Sequence, residues 1–201
     1  MGIGRRYLFL TVFIGGVTSL GIELAAARLL EPYFGTSNIV WASIIGLILV
    51  YLTLGYWLGG RLADRAPRPD VLYRLVAWAA FTTGLVPFAA RPVLRFAAQG
   101  FATFHLGVLG ASLLGVLLLF AVPVTLLGCL SPFAIRLLMG DTASAGRVAG
   151  GVYALSTLGS IIGVFLPVLV LIPAIGTRNT FLTFAGLLLL ISLGGLALAR
   201  Y

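Results

Sequence analysis

Glu23 and Arg28 are charged residues in the first apolar stretch of the chain. A charge near the centre of a bilayer costs about 2.5 to 3.5 kcal/mol, so Glu23 needs protein or water beside it and a partner. Arg28 follows five positions later, a poor spacing for a pair on one helix, which favours a partner from another helix. Two interpretations stay open: a binding or proton-relay carboxylate, and a structural ion pair or protonated acid.

A second group of charged residues follows the next apolar stretch, in residues 55–65 (GYWLGGRLADR). The glycines permit close approach of two backbones, and the aromatic pair suits the level of lipid headgroups. Arginines beyond a span favour the cytoplasmic side. We treat this junction as a candidate latch or docking site, formed by Gly59, Gly60, Arg61, Asp64 and Arg65.

Other residue types that carry chemistry are sparse. His105 is the single histidine, which gives no basis for a metal site, and Cys129 is the single cysteine. Glycine-rich phosphate loops and local nucleophile motifs are absent from the sequence. We therefore expect no catalytic residue, no metal and no cofactor, and we expect that the chain is not an enzyme.

The composition requires a bilayer around the chain. Apolar residues make up 61 % of it and charged residues only 9 %, with a mean hydropathy of +1.15. Long unbroken apolar runs favour helices over a β-barrel. The net charge of +8 comes from arginines that lie between these runs, which favours topology and lipid contacts over nucleic acid.

The apolar runs predict an all-α, polytopic bundle that forms a single transmembrane domain over residues 1–201. Six spans are expected, roughly at 7–29, 37–60, 71–90, 105–128, 148–173 and 179–199. The predicted linkers are 31–35, 66–70, 91–92, 140–141 and 176–178, each with turn residues. Residues 130–139 read as a short amphipathic helix lying along the inner interface.

Arginine distribution predicts the orientation. With both termini in the cytoplasm of a cell bounded by an inner (plasma) membrane, nine arginines lie inside and four outside, the outer four being Arg28, Arg91, Arg95 and Arg178. A secretory signal is the alternative for the N-terminus, where Arg5 and Arg6 precede an apolar run and small residues at 25–27. Glu23 and the length of the run disfavour it.

Small residues and prolines mark the packing surfaces and kinks. Gly159 and Gly163 form a GxxxG pair within a segment rich in glycine and serine, which indicates close helix packing in the bundle or in a homodimer. Pro123, Pro132 and Pro167 remove backbone donors in or beside apolar spans. Interrupted helices are typical of transport sites, although neighbouring helices also tolerate such kinks.

An ordered series of motifs resembles the membrane portion of the fused major facilitator/spermidine synthase family, the transmembrane spermidine synthase-like proteins. The series comprises 19–28 (SLGIELAAAR), 32–37 (PYFGTS) with Trp41, 55–64 (GYWLGGRLAD), 123–128 (PVTLLG), 131–136 (SPFAIR), 150–163 (GGVYALSTLGSIIG) and 172–178 (IPAIGTR). Residues 60–65 also resemble the loop between the second and third helices of major facilitator transporters. Six spans would equal half of such a transporter.

The resemblance implies a membrane anchor, scaffold or substrate conduit for a soluble aminopropyltransferase-like partner. In that family a cytoplasmic synthase-like domain follows the membrane helices, and here the sequence stops at Tyr201, so that domain would be a separate chain. Two alternatives remain open. One is a homodimeric half-transporter for a small polar or cationic solute, and the other is a structural subunit of a larger membrane complex.

Overall fold

The described part of the chain is helical throughout, joined by short turns. The structure, a computed structural model, describes residues 3–104, 107–140 and 144–200. His105 and Asp141 lie outside these ranges. The predicted all-α class is confirmed. The helices are α1 (Ile3–Phe34), α2 (Asn38–Arg65), α3 (Pro69–Phe104), α4 (Gly107–Gly128), α5 (Leu130–Leu138), α6 (Ala145–Leu166) and α7 (Ile172–Leu198), with a π-helical turn at Pro167–Leu171.

Five stretches of helix are long and apolar enough to cross a membrane. They are α1, α2, α3, α4 together with α5, and a stretch of 54 residues from Ala145 to Leu198. Large apolar side chains cover their outer surfaces, and Trp78, Phe81 and Leu190 are each more than 60 % exposed. Such a continuous apolar surface is unfavourable in water and favourable in lipid, so the fold is that of a membrane protein.

The turn between α1 and α2 is short because glycine and serine supply its geometry. Gly35 has a φ of 75°, which a residue without a side chain adopts at no steric cost. Ser37 then caps α2, and its hydroxyl accepts a hydrogen bond from the backbone N–H of Val40 at 3.4 Å. The chain reverses over three residues, so α1 and α2 run antiparallel.

The linker predicted at Arg91–Pro92 is wrong. Helix α3 continues through Pro87 and Pro92 and has 36 residues, a length of about 54 Å. A proline removes one backbone donor, but in apolar surroundings breaking the helix would leave many more groups unpaired. The helix therefore tolerates both prolines.

The short helix expected along the inner interface instead extends α4. Cys129 keeps helical dihedral angles between α4 and α5, and the N–H of Phe133 donates to its carbonyl oxygen at 3.2 Å. One face of α5 is buried in the bundle, through Leu130, Phe133, Ala134 and Leu138. Burial of this apolar face outweighs the surface position that its single arginine favours.

The stretch from Ala145 to Leu198 contains two irregular points. Pro167 begins the π-helical turn, where its missing N–H disturbs the regular ladder. Gly176 has φ 78° and ψ 163°, which are not helical angles, and it lies in the predicted linker 176–178. The helix axis therefore breaks at Gly176.

Three pairs of helices form the main contacts of the bundle: α1 with α6, α2 with α4, and α3 with α7. In the first pair the backbones touch, because a Cβ at any of three glycines would collide with a carbonyl oxygen opposite. Gly159 lies against Phe13, Gly163 against Val17, and Gly16 against Ser156. We name these six residues the α1–α6 seam.

The second pair repeats this arrangement. Gly55 lies against the carbonyl of Thr125, Gly59 against the backbone of Cys129, and Gly128 against the carbonyl of Leu52. We name these six residues the α2–α4 seam. In each seam two contacts advance by four residues along both helices, from Phe13–Gly159 to Val17–Gly163 and from Gly55–Thr125 to Gly59–Cys129. Each pair is therefore parallel.

The two seams correspond residue by residue. Each α6 position equals an α2 position plus 104, and each α4 position equals an α1 position plus 112. The sequence Thr-Leu-Gly at residues 53–55 recurs at 157–159. The buried positions of α6 and the π turn fall on buried positions of α2 at the same offset: 148, 152, 159, 163 and 167 on 44, 48, 55, 59 and 63. Since α2 runs antiparallel to α1, the bundle contains an inverted repeat.

Candidate functional site

A small polar cavity lies where the two seams meet. It has a volume of about 70 Å³. Four serines line it, because the close backbone contacts bring their helices together: Ser19 of α1, Ser131 of α5, and Ser156 and Ser160 of α6. Tyr56 of α2 adds a fifth hydroxyl group. Such a space is large enough for water and far smaller than a pocket for a drug-sized ligand.

The two halves of the repeat line the cavity with residues at equivalent positions. Ser131 occupies the position of Ser19 plus 112, and Ser160 the position of Tyr56 plus 104; all four residues line the cavity. Ser160 donates a hydrogen bond to the carbonyl oxygen of Gly16 at 3.3 Å. The hydroxyls of Ser19, Ser131 and Ser156 form no hydrogen bond with a described residue. They are therefore free to bind water or a solute.

Glu23 lies one turn beyond Ser19 on α1 and is half-buried. It forms no ion pair or hydrogen bond with any residue that the structure describes, so the partner expected from another helix is not found there. Arg28 instead pairs with Glu31 on its own helix, at 3.0 Å between Nη1 and Oε2. Three-residue spacing brings these two side chains together, whereas five-residue spacing does not.

The first residues of the junction at 55–65 belong to the α2–α4 seam, and its last residues lie at the end of the bundle. Gly59 packs against Cys129, while nothing lies within 4 Å of a Cβ at Gly60. The guanidinium of Arg61 stacks over the ring of Trp57, 3.8 Å from its centroid. The expected close backbone approach therefore involves only the first of the two glycines.

Asp64 pairs with Arg136 of α5, at 3.3 Å between the carboxylate and Nε, and both side chains are exposed. This contact joins the end of α2 to the extension of α4. Arg65 makes no ion pair with a described residue. Of the predicted latch residues, Asp64 is thus the one that reaches a separate helix through its charge.

This end of the bundle is rich in arginine. Asp70 binds Arg68 at 3.0 Å and Arg74 at 3.6 Å, and Arg200 lines the same cleft. The start of α1 lies here too, since the Tyr7 hydroxyl donates to the carbonyl of Ile191 near the end of α7. We name this end of the bundle the basic end. Because α6 is parallel to α1, Arg147 near the start of α6 also lies at the basic end.

The predicted packing and kink residues take different positions. Gly159 and Gly163 belong to the α1–α6 seam, and Pro167 begins the π turn. Pro123 is buried inside α4, and Pro132 lies in the first turn of α5, just after the junction with α4. Only the glycines and Pro167 therefore coincide with a backbone feature that distinguishes them.

Sequence reasoning indicated a close approach at residues 55–65 but missed its partner on α4, and it missed the cavity. Gly128 is an isolated glycine outside any GxxxG pattern, and the four serines come from separate segments. The recurrence of Thr-Leu-Gly with a second glycine four positions later was the available signal, at Gly55 and Gly59 and again at Gly159 and Gly163.

Fold and composition define the class, an all-helical membrane protein with a polar cavity between glycine-packed helix pairs. Comparison of the chain with protein-family models, with curated proteins and with solved structures finds no match. Function is therefore argued from the geometry of the chain itself.

Proposed function

We propose that the protein is a six-crossing membrane module of the half-transporter type, which binds a small polar or cationic solute with Glu23. The observation that carries this proposal is the inverted repeat with a hydroxyl-lined cavity between its halves. Transporters of the major facilitator class contain such repeats, and solute sites in inverted-repeat transporters lie at the repeat interface. The resemblance found in the sequence supports the same class.

Six crossings result if the stretch from Ala145 to Leu198 crosses the membrane twice. A straight helix of 54 residues would be about 81 Å long, against a hydrocarbon core of about 30 Å. The break at Gly176 divides it into two segments of suitable length. An even number of crossings returns both termini to the basic end, in accord with a cytoplasmic location for that end at the inner (plasma) membrane.

Glu23 is the proposed recognition group because its charge has no counterpart among the described residues. A buried or half-buried carboxylate without a partner is costly in lipid, and a bound cation would compensate that cost. Because one module provides only half of a pathway, a second copy would complete it.

Uptake into proteoliposomes tests the proposal, with radiolabelled putrescine as a cationic probe and glycerol as a neutral one. We expect uptake of one or both above that of empty liposomes, and at least a tenfold loss of putrescine uptake in Glu23→Gln. Glu31→Gln is the matched control, since Glu31 is an acid of the same helix that Arg28 already neutralises. Full putrescine uptake by Glu23→Gln would remove the role of Glu23, and no uptake of either probe would contradict transport.

The second candidate is an anchor or scaffold for a soluble aminopropyltransferase-like partner, or a conduit for its substrate. The basic end favours it, because several arginines there form no ion pair with a described residue: Arg5, Arg6, Arg65, Arg147 and Arg200. Such a surface attracts an acidic protein face.

Copurification from native membranes after mild cross-linking tests this candidate. A synthase-like protein should accompany the wild-type chain, and Arg65→Glu with Arg147→Glu should remove it. Arg95→Glu provides the control, because Arg95 lies toward the opposite end of α3. Purification without any synthase-like protein would contradict the scaffold, whatever the transport assay shows.

A further inference from the structure

An apolar groove runs along the outer surface between α3 and α7, away from both seams. It has a volume of about 380 Å³. Small residues line it, namely Gly84, Ala185 and Gly186, and the larger side chains of Phe81, Phe88 and Leu189 flank it. These flanking side chains are 45 to 61 % exposed. The groove thus opens to the lipid.

The length of the groove matches one leaflet. Its lining on α3 extends from Ala80 to Phe88, about 12 Å along the helix axis. Half of a hydrocarbon core of about 30 Å is about 15 Å. An acyl chain lying in the groove would therefore contact the protein over most of the depth of a leaflet.

Positive charge lies at one end of the groove. The guanidinium of Arg178 is over the ring of Phe88, 4.7 Å from its centroid. Arg91 follows Phe88 by three positions on α3 and Arg95 by seven, which keeps them on a similar face of the helix. All three arginines are exposed, and none forms an ion pair with a described residue.

Acidic groups do not neutralise this end within the described part of the chain. Glu31 is paired with Arg28, Asp64 with Arg136, and Asp70 with Arg68 and Arg74. A guanidinium presents parallel donors that match the oxygens of a phosphate. Basic pockets between transmembrane helices on the cytoplasmic side of membranes bind anionic lipid headgroups, and the same pairing of guanidinium with phosphate is available at this end.

We propose that the groove between α3 and α7 is a binding site for an anionic phospholipid of the bilayer. One acyl chain lies along Gly84 and Gly186, and the headgroup phosphate binds Arg178, with Arg91 beside it. This surface combines an apolar groove of leaflet depth with an exposed arginine at its end that forms no ion pair with a described residue.

Native mass spectrometry of the purified chain in detergent tests the proposal, with phosphatidylglycerol and phosphatidylcholine of identical acyl chains. We expect one tightly retained phosphatidylglycerol, bound at least fivefold more tightly than phosphatidylcholine. Arg178→Gln should reduce phosphatidylglycerol binding about fivefold, since an arginine near anionic lipid contributes about that factor. Arg65→Gln is the matched loss of one unpaired arginine, at the basic end, and should leave this site unchanged.

The groove itself is tested by filling it. Gly186→Trp and the smaller Gly186→Leu should weaken binding of both lipids, because nothing lies within 4 Å of a Cβ at this position and the new side chain occupies the groove. Gly46→Trp, at an equally open glycine of α2, is the control. Equal retention of the two lipids, equal effects of Arg178→Gln and Arg65→Gln, or unchanged binding in a folded Gly186→Leu would each overturn the proposal.

Discussion

The α1–α6 seam and the α2–α4 seam share one backbone arrangement but differ in the side chains around it. Each has three glycine contacts at the same spacing, which fixes how closely the helices approach. Beside them, α6 contributes the hydroxyls of Ser156 and Ser160 to the cavity, where α2 contributes Leu52 and the ring of Tyr56. Glycine positions thus determine the packing, and the residues next to them are free to differ.

The helix ends differ even more. Helix α2 ends in the charged residues of the basic end, whereas α6 continues into the π turn at the corresponding point. Ala63 and Pro167 are equivalent positions, and both are buried. The repeat therefore accounts for the helix packing at the centre of the bundle, while the two halves of the repeat differ at their helix ends.

The largest effect is expected from a side chain placed in either seam. In Gly159→Ala and Gly55→Ala, the new methyl group meets a carbonyl oxygen of the facing backbone, which cannot rotate away as a side chain can. We expect each change to destabilise the fold by about 3 kcal/mol, at the upper end of over-packing costs. Unfolding in mixed micelles with increasing denaturing detergent measures the change.

Two open glycines provide the controls for the seam variants. Nothing lies within 4 Å of a Cβ at Gly46 of α2 or at Gly150 of α6. Alanine there should be neutral or should stabilise by up to about 1 kcal/mol, because alanine is the better helix former. If only one seam variant were destabilised, the two seams would not be equivalent.

A smaller effect is expected where a glycine faces an aromatic ring instead of a backbone. Gly195 of α7 lies against the ring of Tyr73 on α3, and a ring can shift. We expect Gly195→Ala to cost about 1 to 2 kcal/mol in the same assay. Tyr73→Leu should reduce that cost, so a double-mutant cycle separates the ring contact from a general effect. No coupling between the two positions would contradict this explanation.

The hydroxyls of the cavity should contribute less again. Ser160 donates to the carbonyl of Gly16, whereas Tyr56 at the equivalent position forms no hydrogen bond with a described residue. Ser160→Ala should cost about 0.6 kcal/mol, the mean for polar contacts between membrane helices, and Tyr56→Phe close to nothing. Equal costs would indicate that the two halves of the cavity are bonded alike.

The sequence was sufficient for the class of fold and insufficient for its contacts. Apolar runs predicted helices because a bilayer leaves the backbone few alternatives. The contacts of Gly159 and Gly163 with α1 are of the close kind that a GxxxG spacing indicates. Pro92 was misleading, because proline predicts a break in water more reliably than in lipid. The charges of Glu23 and Arg28 could not reveal that Arg28 bonds to Glu31, since Glu31 lay in a predicted linker that is in fact helical.

The cavity could not be predicted from single segments of the sequence either. Each of its serines is unremarkable in its own segment, and only the pairing of α1 with α6 and of α2 with α4 brings them together. A search for the repeat would have supplied that pairing, because Thr-Leu-Gly recurs with the same glycine spacing. The signal was thus in the sequence, although in the relation between two segments and not in either one.

The smallest effect is expected at the ends of the bundle, where the repeat no longer holds. Asp64 and Arg136 join α2 to α5 at the basic end, but their side chains are 74 % and 44 % exposed. Asp64→Asn should therefore change stability by less than about 0.5 kcal/mol, and 1 M salt should abolish even that difference. Glu31→Gln breaks the corresponding exposed pair at the other end and is the comparison. If Asp64→Asn instead destabilised the fold as strongly as Gly55→Ala, the charged contact would contribute as much as the glycine seam to holding α2 against α4 and its extension.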